Sequence, residues 1–318
     1  MKKFLAILCL LVLGAILGIT VFFSWLPQSA PPSFESVEVT PARLARGEYL
    51  FNAVLGCPVC HSERDFSVFG APAVQPFGGG RVCAEPGKPL PGIAEAGGLP
   101  GTICFRNITP HATGIGAWSD GEVLRAMREG VDRDGNALFP IMPAFIYRNL
   151  SDEDARAVLT YVRTLEPVDN PLPETDVNFP LNWLMRLLPR PLEGPVDHPV
   201  ESDAVAYGRY LATVARCAFC HSPQDSRSRQ ALEGFEFAGG VAFRGREGLF
   251  YSTNLTTHPS GLGDMSLDDF IALFRRETDP NNKELSLMPW TYFGKMTDAD
   301  LGAIFAYLQT VPPVEYTP

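Results

Sequence analysis

The feature that most constrains the fold is an internal repeat, which makes two parts of the chain copies of one unit. Short blocks of similar sequence occur in the same order in both copies. Residues 47–50 correspond to 208–211, 57–62 to 217–222, 77–80 to 237–240, 107–109 to 254–256, 113–116 to 260–263, and 142–168 to 288–314. Chance does not produce this shared order, so the sequence predicts two related folding units.

The repeat also sets the domain boundaries. We predict a first unit over residues 42–168 and a second over 204–318. The stretch between them, 169–203, contains seven prolines and is typical of a semi-rigid linker. It carries an apolar patch at 183–188, which we expect to pack on a domain. Contact of this patch with a membrane surface is the weaker alternative, because basic residues are few.

Helix signals dominate both units, so the predicted fold class is all-α. A Ser or Thr followed three positions later by an acidic residue marks a helix start. Four such pairs occur, namely Ser119 with Glu122, Ser151 with Asp154, Ser266 with Asp269, and Thr297 with Asp300. Apolar residues at helical spacing follow Ser151 and Thr297. No strand-like alternation of useful length competes with these signals.

The N-terminus has the composition of a membrane anchor. Lys2 and Lys3 precede an uncharged run over residues 4–26, which is long enough to cross a hydrocarbon core of about 30 Å. We predict an anchor within residues 1–30, and a cleavable signal peptide is the alternative. The lysines stay inside by the positive-inside rule. The expected location is therefore the inner (cytoplasmic) membrane, with a single pass and the rest of the chain in the periplasm.

Each unit contains one Cys-x-x-Cys-His motif, at 57–61 and 217–221. This motif is a c-type haem attachment signature, in which the two thiols bond to the haem and the histidine binds the iron. The sequence predicts two covalently bound haem c groups, attached through Cys57, Cys60, Cys217 and Cys220 with His61 and His221 as axial ligands. A zinc site would need four ligands, and a thioredoxin-like redox pair would need a βαβ context.

The second axial ligand must come from further along the chain. Met142 and Met288 occupy equivalent positions and each is followed by proline. We predict that both bind haem iron, with a role as core methionines as the alternative. His111 and His258 are also equivalent, and we favour exposed loop histidines over alternative ligands. Met296 aligns with Leu150 and is expected to be structural.

Two further cysteines, Cys83 and Cys104, bracket an insertion that only the first unit has. We predict a disulfide that closes this loop, and two buried free thiols are the alternative. Closure of a loop of this size stabilises a fold by about 3 kcal/mol in the chain-entropy model.

The net charge of −10 argues against a nucleic-acid partner, since that role needs a basic face. With His and Met on each iron, no substrate could reach the metal, which indicates outer-sphere electron transfer and no catalytic activity of the chain itself. The competing hypothesis is a di-haem peroxidase-like enzyme with one switchable haem. A haem-based sensor is a third class, but no signalling segment is visible.

These motifs resemble those of di-haem class I cytochromes c, and especially the membrane-bound cytochrome c subunits of periplasmic alcohol, gluconate and similar sugar dehydrogenases. The resemblance rests on residues 107–110, 114–120, 128–131, 142–143, 288–290 and 306–308, besides the haem motifs. It implies two tandem class I cytochrome c domains behind a transmembrane helix, with Tyr49, Tyr161, Tyr210 and Tyr307 near helix crossings.

The resemblance also implies a function and partners. The chain would carry single electrons between a periplasmic dehydrogenase or a quinol-oxidising complex and a terminal acceptor. Its partners would be redox proteins, namely a dehydrogenase, an oxidase or a soluble cytochrome. The dehydrogenase subunits usually carry three haem motifs, and this chain has two.

Overall fold

The computed structural model describes residues 2–81, 83–85, 100–225, 231–245, 248–276 and 288–315. The α-helices in these ranges are α1 (Lys2–Ser24), α2 (Pro41–Tyr49), α3 (Pro58–His61), α4 (Asp120–Glu129), α5 (Ala144–Tyr147), α6 (Asp152–Val162), α7 (Leu181–Leu184), α8 (Ala204–Val214), α9 (Cys217–His221), α10 (Leu267–Phe274), α11 (Trp290–Phe293) and α12 (Asp298–Leu308). The short strands are β1 (Gly101–Thr102), β2 (Asp176–Val177), β3 (Ala242–Gly245) and β4 (Gly248–Tyr251). The fold is therefore mostly helical, as predicted.

The four predicted helix starts are confirmed. In α4 the Ser119 hydroxyl accepts a hydrogen bond from the Glu122 amide, and the Glu122 carboxylate accepts one from the Ser119 amide, so the capping box is complete. The side chains before α6, α10 and α12 likewise accept a bond from the amide three positions on. These caps satisfy amide groups that a helix leaves unpaired at its N-terminus.

In each unit the first helix crosses the last one at a glycine. A Cβ atom at Gly47 in α2 would lie 1.9 Å from the carbonyl oxygen of Ala157 in α6. A Cβ atom at Gly208 in α8 would lie 1.8 Å from the carbonyl oxygen of Ala303 in α12. Both separations are far below a van der Waals contact, so the backbones can approach this closely only where the side chain is absent.

The two first helices continue differently. Cys57 lies ten positions after Gly47, whereas Cys217 lies nine positions after Gly208. The first unit accommodates its extra residue in a π-helical turn over Leu50–Val54, where the Leu55 amide donates to the Leu50 carbonyl at 2.8 Å. In the second unit α8 stays α-helical as far as Val214. A π turn is the local form that one additional residue gives to an α-helix.

The short strands differ from the sequence prediction, which expected none. Strands β3 and β4 form an antiparallel hairpin in which Phe243 pairs with Phe250 and their rings stack at 5.6 Å. This hairpin occupies the place that the insertion occupies in the first unit. Strands β1 and β2 join the insertion to the linker. Strands of two to four residues are too short for a period-two pattern to be recognised in the sequence.

The two units contact each other through a reciprocal pair of tyrosines. The Tyr49 hydroxyl donates to the Asp300 carboxylate of the second unit at 2.5 Å. The Tyr210 hydroxyl donates to the Asp154 carboxylate of the first unit at 2.6 Å. Tyr49 and Tyr210 are equivalent in the repeat, as are the two aspartates, so the contacts are related as if by a two-fold axis. On this axis the Arg46 guanidinium donates to the hydroxyl of its counterpart, Tyr207, at 3.4 Å.

Helix α1 has no buried residue and is the one described helix that is long and apolar enough to cross a membrane. A signal sequence would have the same properties. The segment after α1 follows the first unit, where Glu35 pairs with Arg156 at 2.5 Å and the Val37 amide donates to Asp120 at 2.9 Å.

Candidate functional site

Each Cys-x-x-Cys-His motif lies on a short helix, α3 or α9, and the Nδ1 atom of its histidine contacts a backbone carbonyl from another loop. The His61 Nδ1 atom lies 2.8 Å from the carbonyl oxygen of Arg106. The His221 Nδ1 atom lies 2.8 Å from the carbonyl oxygen of Thr253. These carbonyls immediately precede equivalent asparagines. A proton on Nδ1 would be donated to the carbonyl, which leaves Nε2 as the metal-binding nitrogen.

The protonation of both imidazoles suits a metal ligand. Burial lowers the pKa of His61 and of His221, because removal from water disfavours the charged ring. A neutral imidazole has a free lone pair for a metal ion, whereas imidazolium has none. Burial also raises the pKa of the Cys57 and Cys217 thiols to about 12.

The structure brings the four predicted site residues of the first unit to one cavity of about 580 Å³. Cys57, Cys60, His61 and Met142 all line it. Much of the remaining lining is apolar and includes Ile103, Phe105, Ile115, Val158 and Leu159. The volume falls in the range of roughly 300–1,000 Å³ that is usual for ligand and cofactor sites.

The Met-Pro segment has the same local geometry in both units. Met142 and Met288 are both partly buried against the core. The carbonyl of each accepts a bond of 2.8 Å from the amide two residues on, and the following proline is the N-cap residue of α5 or α11. Residues 277–287, just before Met288, lie outside the described part of the chain.

Equivalent asparagines connect the loop behind each histidine to the segment that follows the last helix of the unit. The Asn107 side chain accepts from the Thr109 amide at 2.9 Å and donates to the Val168 carbonyl at 2.7 Å. Asn254 makes the same two bonds at 2.8 Å, to Thr256 and Val314. Both asparagines thus organise the loop behind the histidine through hydrogen bonds to the backbone. His111 and His258 are partly exposed and contact neighbouring hydroxyls at 2.9 and 2.8 Å.

Cys83 and Cys104 form a disulfide in the structure. Residues 86–99, which make up most of the loop that it closes, lie outside the described ranges. Next to the disulfide, the Ala84 and Ile103 backbones pair in both directions, at 2.8 and 3.0 Å.

Arg216 is a residue of this site that the sequence analysis missed. It belongs to the second unit, yet it lines the cavity of the first and donates to the Leu55 carbonyl at 3.1 Å. Its guanidinium carbon lies 5.9 Å from the centroid of the Tyr147 ring, inside the limit of about 6 Å for a cation–π contact. The available signal was its place directly before Cys217, where the first unit has Gly56.

The donor set fits a c-type haem better than zinc. Within the described residues, no three His, Cys, Asp or Glu side chains converge as a metal site would require. The fourth candidate donor, Met142, is a thioether, which is not among the usual zinc ligands but is a haem-iron ligand in cytochromes c. Strand pairing in the described chain is antiparallel, so the parallel βαβ context of a thioredoxin-like pair is not formed there.

No protein-family profile matches the chain. It is 31% identical over 251 residues to the cytochrome c subunit of the quinone alcohol dehydrogenase of Gluconacetobacter polyoxogenes, which covers 71% of this chain and 52% of that protein. It is 29% identical over 297 residues to the fructose dehydrogenase cytochrome subunit of Gluconobacter japonicus, covering 87% and 55%.

A third relative matches over nearly its full length. The diheme cytochrome c-type protein of Cereibacter sphaeroides is 25% identical over 298 residues, which cover 92% of this chain and 93% of that protein. By contrast, the chain spans about half the length of the two dehydrogenase subunits. The chain is thus a relative of cytochrome c subunits of alcohol and fructose dehydrogenases and of a diheme cytochrome c.

Proposed function

We propose that the chain is a membrane-anchored di-haem c-type cytochrome that carries single electrons. Its two haem-binding domains, 42–168 and 204–318, would be tandem class I cytochrome c domains. The proposed attachment cysteines are Cys57 and Cys60 in the first domain and Cys217 and Cys220 in the second. The proposed axial ligands are His61 with Met142 and His221 with Met288.

One observation carries this proposal, namely the repetition of the histidine support in both units. The Nδ1-to-carbonyl distance is 2.8 Å in each, from a carbonyl that precedes the same Asn-x-Thr segment. In each unit a Met-Pro turn starts the short helix that follows. Two sites with the same ligand set argue for two carriers and against a peroxidase, which needs one haem with an open or exchangeable position.

When bound, haem c supplies a one-electron iron couple, which His and Met ligation shifts to higher potential. The chain's own residues do the rest. The cysteines hold the group covalently, and the Arg106 and Thr253 carbonyls orient the histidines. The apolar lining of the first cavity limits the access of water, which also favours the less charged, reduced state.

We infer that the electron donor is a dehydrogenase on the periplasmic side, because two of the relatives are named as cytochrome subunits of an alcohol and a fructose dehydrogenase. The excess of acidic residues, 36 against 26 basic ones, would steer a partner with a basic docking face. A terminal acceptor, an oxidase or a soluble cytochrome, would take the electrons onward. Helix α1 would hold the chain in the inner membrane with both domains in the periplasm.

Haem content and ligation test the proposal directly. The full chain is produced in a host that attaches haem c and is purified from membranes. We expect two haems per chain by the pyridine haemochrome assay, and low-spin spectra with a sulfur-to-iron charge-transfer band. Met142→Leu should remove about half of that band. One haem per chain, or a high-spin haem that turns over peroxide in the unaltered protein, would contradict the proposal.

Met127→Leu is the matched control for this experiment. Met127 also lines the first cavity and is also partly buried, but it lies on α4 and has no counterpart methionine in the second unit. The control should keep the whole charge-transfer band. Equal loss in both variants would mean that packing of the cavity, and not ligation by Met142, determines the signal.

A further inference from the structure

The linker carries an exposed apolar surface beside the base of α1. We call residues 179–188, which include α7 and the 3₁₀ turn Met185–Leu187, the linker turn. Five of its apolar side chains are exposed by two-fifths or more, namely Phe179, Leu181, Leu184, Leu187 and Leu188. Water contact over several neighbouring apolar side chains is unfavourable, and such patches usually mark an interaction site.

The linker turn is attached to the end of α1. The Trp183 ring lies 4.9 Å from the Phe23 ring, and the Arg186 guanidinium donates to the Leu26 carbonyl. Helix α1 has 23 residues and at 1.5 Å per residue is about 35 Å long, slightly more than a hydrocarbon core. Phe23 is therefore expected at the boundary between acyl chains and headgroups when α1 spans the bilayer.

The charge of this stretch also suits a lipid surface. Residues 177–192 contain two arginines, Arg186 and Arg190, and no acidic residue, in a chain with a net charge of −10. An arginine close to the headgroup level attracts anionic lipid. The linker turn is thus an apolar segment with a small positive charge in a protein whose net charge is negative.

We propose that the linker turn inserts its exposed apolar side chains into the headgroup boundary of the same bilayer that α1 spans. The apolar surface of the turn continues that of α1, where Phe22 and Trp25 are 56% and 80% exposed. Lipid is therefore the occupant that both surfaces share. This inference rests on the proposed role of α1 as a membrane span.

This second membrane contact has a consequence for the first unit. Asn182, Met185 and Arg186, from the opposite side of the linker turn, line the cavity that contains Cys57 and His61. One side of the turn thus faces the candidate haem site and the other faces lipid. The first site would be held close to the membrane surface at a fixed distance, while α1 alone would act only as a tether.

Spin-label depth measurements test the proposal in the full-length holoprotein. The protein carries Cys9→Ser and one label, at Leu184→Cys or Leu188→Cys, and is placed in nanodiscs of phosphatidylcholine and phosphatidylglycerol. Lipid-inserted labels collide more with oxygen and less with a water-soluble nickel chelate. We expect the ratio of oxygen to nickel collisions at both positions to be several-fold higher than at a label on Val68→Cys.

Two control positions distinguish failure of this inference from failure of the anchor. Val68 is 50% exposed and belongs to the loop that contacts the second unit, so its label should report water. A label at Leu13→Cys in the middle of α1 should report lipid. Lipid at Leu13 with water at both linker positions would overturn the inference and leave the anchor intact. Water at Leu13 as well would overturn both.

A second copy of the chain is the competing occupant of the patch. Spin–spin broadening between labels at Leu184 would show that two linker turns meet. The depth measurement is therefore made at one protein per nanodisc, where no second copy can cover the patch. Water exposure of both linker labels in that sample, with spin–spin broadening and protection from nickel only at two proteins per disc, would contradict insertion into lipid.

Discussion

The two units keep the same framework around the candidate haem site but close the same loop in different ways. Both have a glycine at the helix crossing, the same histidine support and the same asparagine tie. Between residues 77–80 and Asn107 the first unit has a disulfide-closed insertion, and between residues 237–240 and Asn254 the second has the β3–β4 hairpin. The backbone that contacts the site therefore has the same conformation in both units. The loop outside the site needs only to be closed, and a disulfide or a hairpin can do this.

The units also differ at the position before the first cysteine. Gly56 and Arg216 both have left-handed backbones, with φ of 59° and 66°. Gly56 lies against the Tyr292 ring, since a Cβ there would be 3.7 Å from it. Arg216 instead extends across the interface to the Leu55 carbonyl. Both positions thus lie at the contact between the units, and Arg216 adds a hydrogen bond across it that a glycine cannot make.

The largest effect is expected at the helix crossings, where the units should behave alike. Gly47→Ala and Gly208→Ala would each place a methyl group within 2 Å of a carbonyl oxygen unless the helices separate. We expect each variant to lose about 3 kcal/mol of unfolding free energy or more, as severe overpacking does. Urea unfolding measures the loss. A harmless change in one unit and a severe one in the other would show that only one crossing is tight.

Gly302→Ala is the control for these variants, and it should raise the unfolding free energy instead of lowering it. Gly302 lies within α12, and the nearest atom to an added Cβ is 3.8 Å away. Alanine favours a helix interior over glycine by about 1 kcal/mol, so the unfolding free energy should rise slightly.

The second largest loss of stability is expected on removal of the Cys83–Cys104 disulfide, and it should be confined to the first unit. The disulfide closes a sequence separation of 21 residues. Replacing both cysteines by serine should therefore cost about 3 kcal/mol in the chain-entropy model, and less if strain or residual structure contributes. Hydrogen exchange by mass spectrometry should report faster exchange near Ile103 and unchanged exchange in the β3–β4 hairpin. An equal change in both regions would mean that the insertion also supports the second unit.

The smallest effects concern the reciprocal aspartates. Asp154 accepts two bonds of 2.8 Å from Arg46 as well as the Tyr210 hydroxyl, whereas Asp300 accepts from Tyr49. Asp154→Asn should cost about 2 kcal/mol, because Arg46 then loses its charge partner but remains a quarter exposed. Asp300→Asn should cost about 1 kcal/mol. Urea unfolding compares the two, and equal losses would show that the Arg46 pair adds nothing.

Much of the fold could be predicted from the sequence, because its signals are local. The caps at Ser119, Ser151, Ser266 and Thr297 follow from residues three positions apart. The cysteine–histidine turns and the Met-Pro turns are likewise short patterns that occur twice. The repeat strengthens each of them, since an accidental pattern would not recur at the equivalent place.

The features that were missed depend on residues far apart in the chain. Arg216 contacts Leu55 across 161 positions, and Tyr49 contacts Asp300 across 251. Nothing in the sequence near either partner indicates such a pairing, because it is decided by how the units pack. The β3–β4 hairpin was missed for a different reason, since its strands are too short to show alternation.

The π turn at Leu50–Val54 has a meaning for the history of the chain. If the two units arose by duplication of one coding segment, they later came to differ by a single codon between the crossing glycine and the first cysteine. The reading frame was preserved, and the helix confined the change to one turn. The crossing glycine and the first cysteine of the motif are both retained, one on each side of this turn. A gene can thus lengthen a helix beside a fixed cofactor site by one amino acid without rebuilding either end.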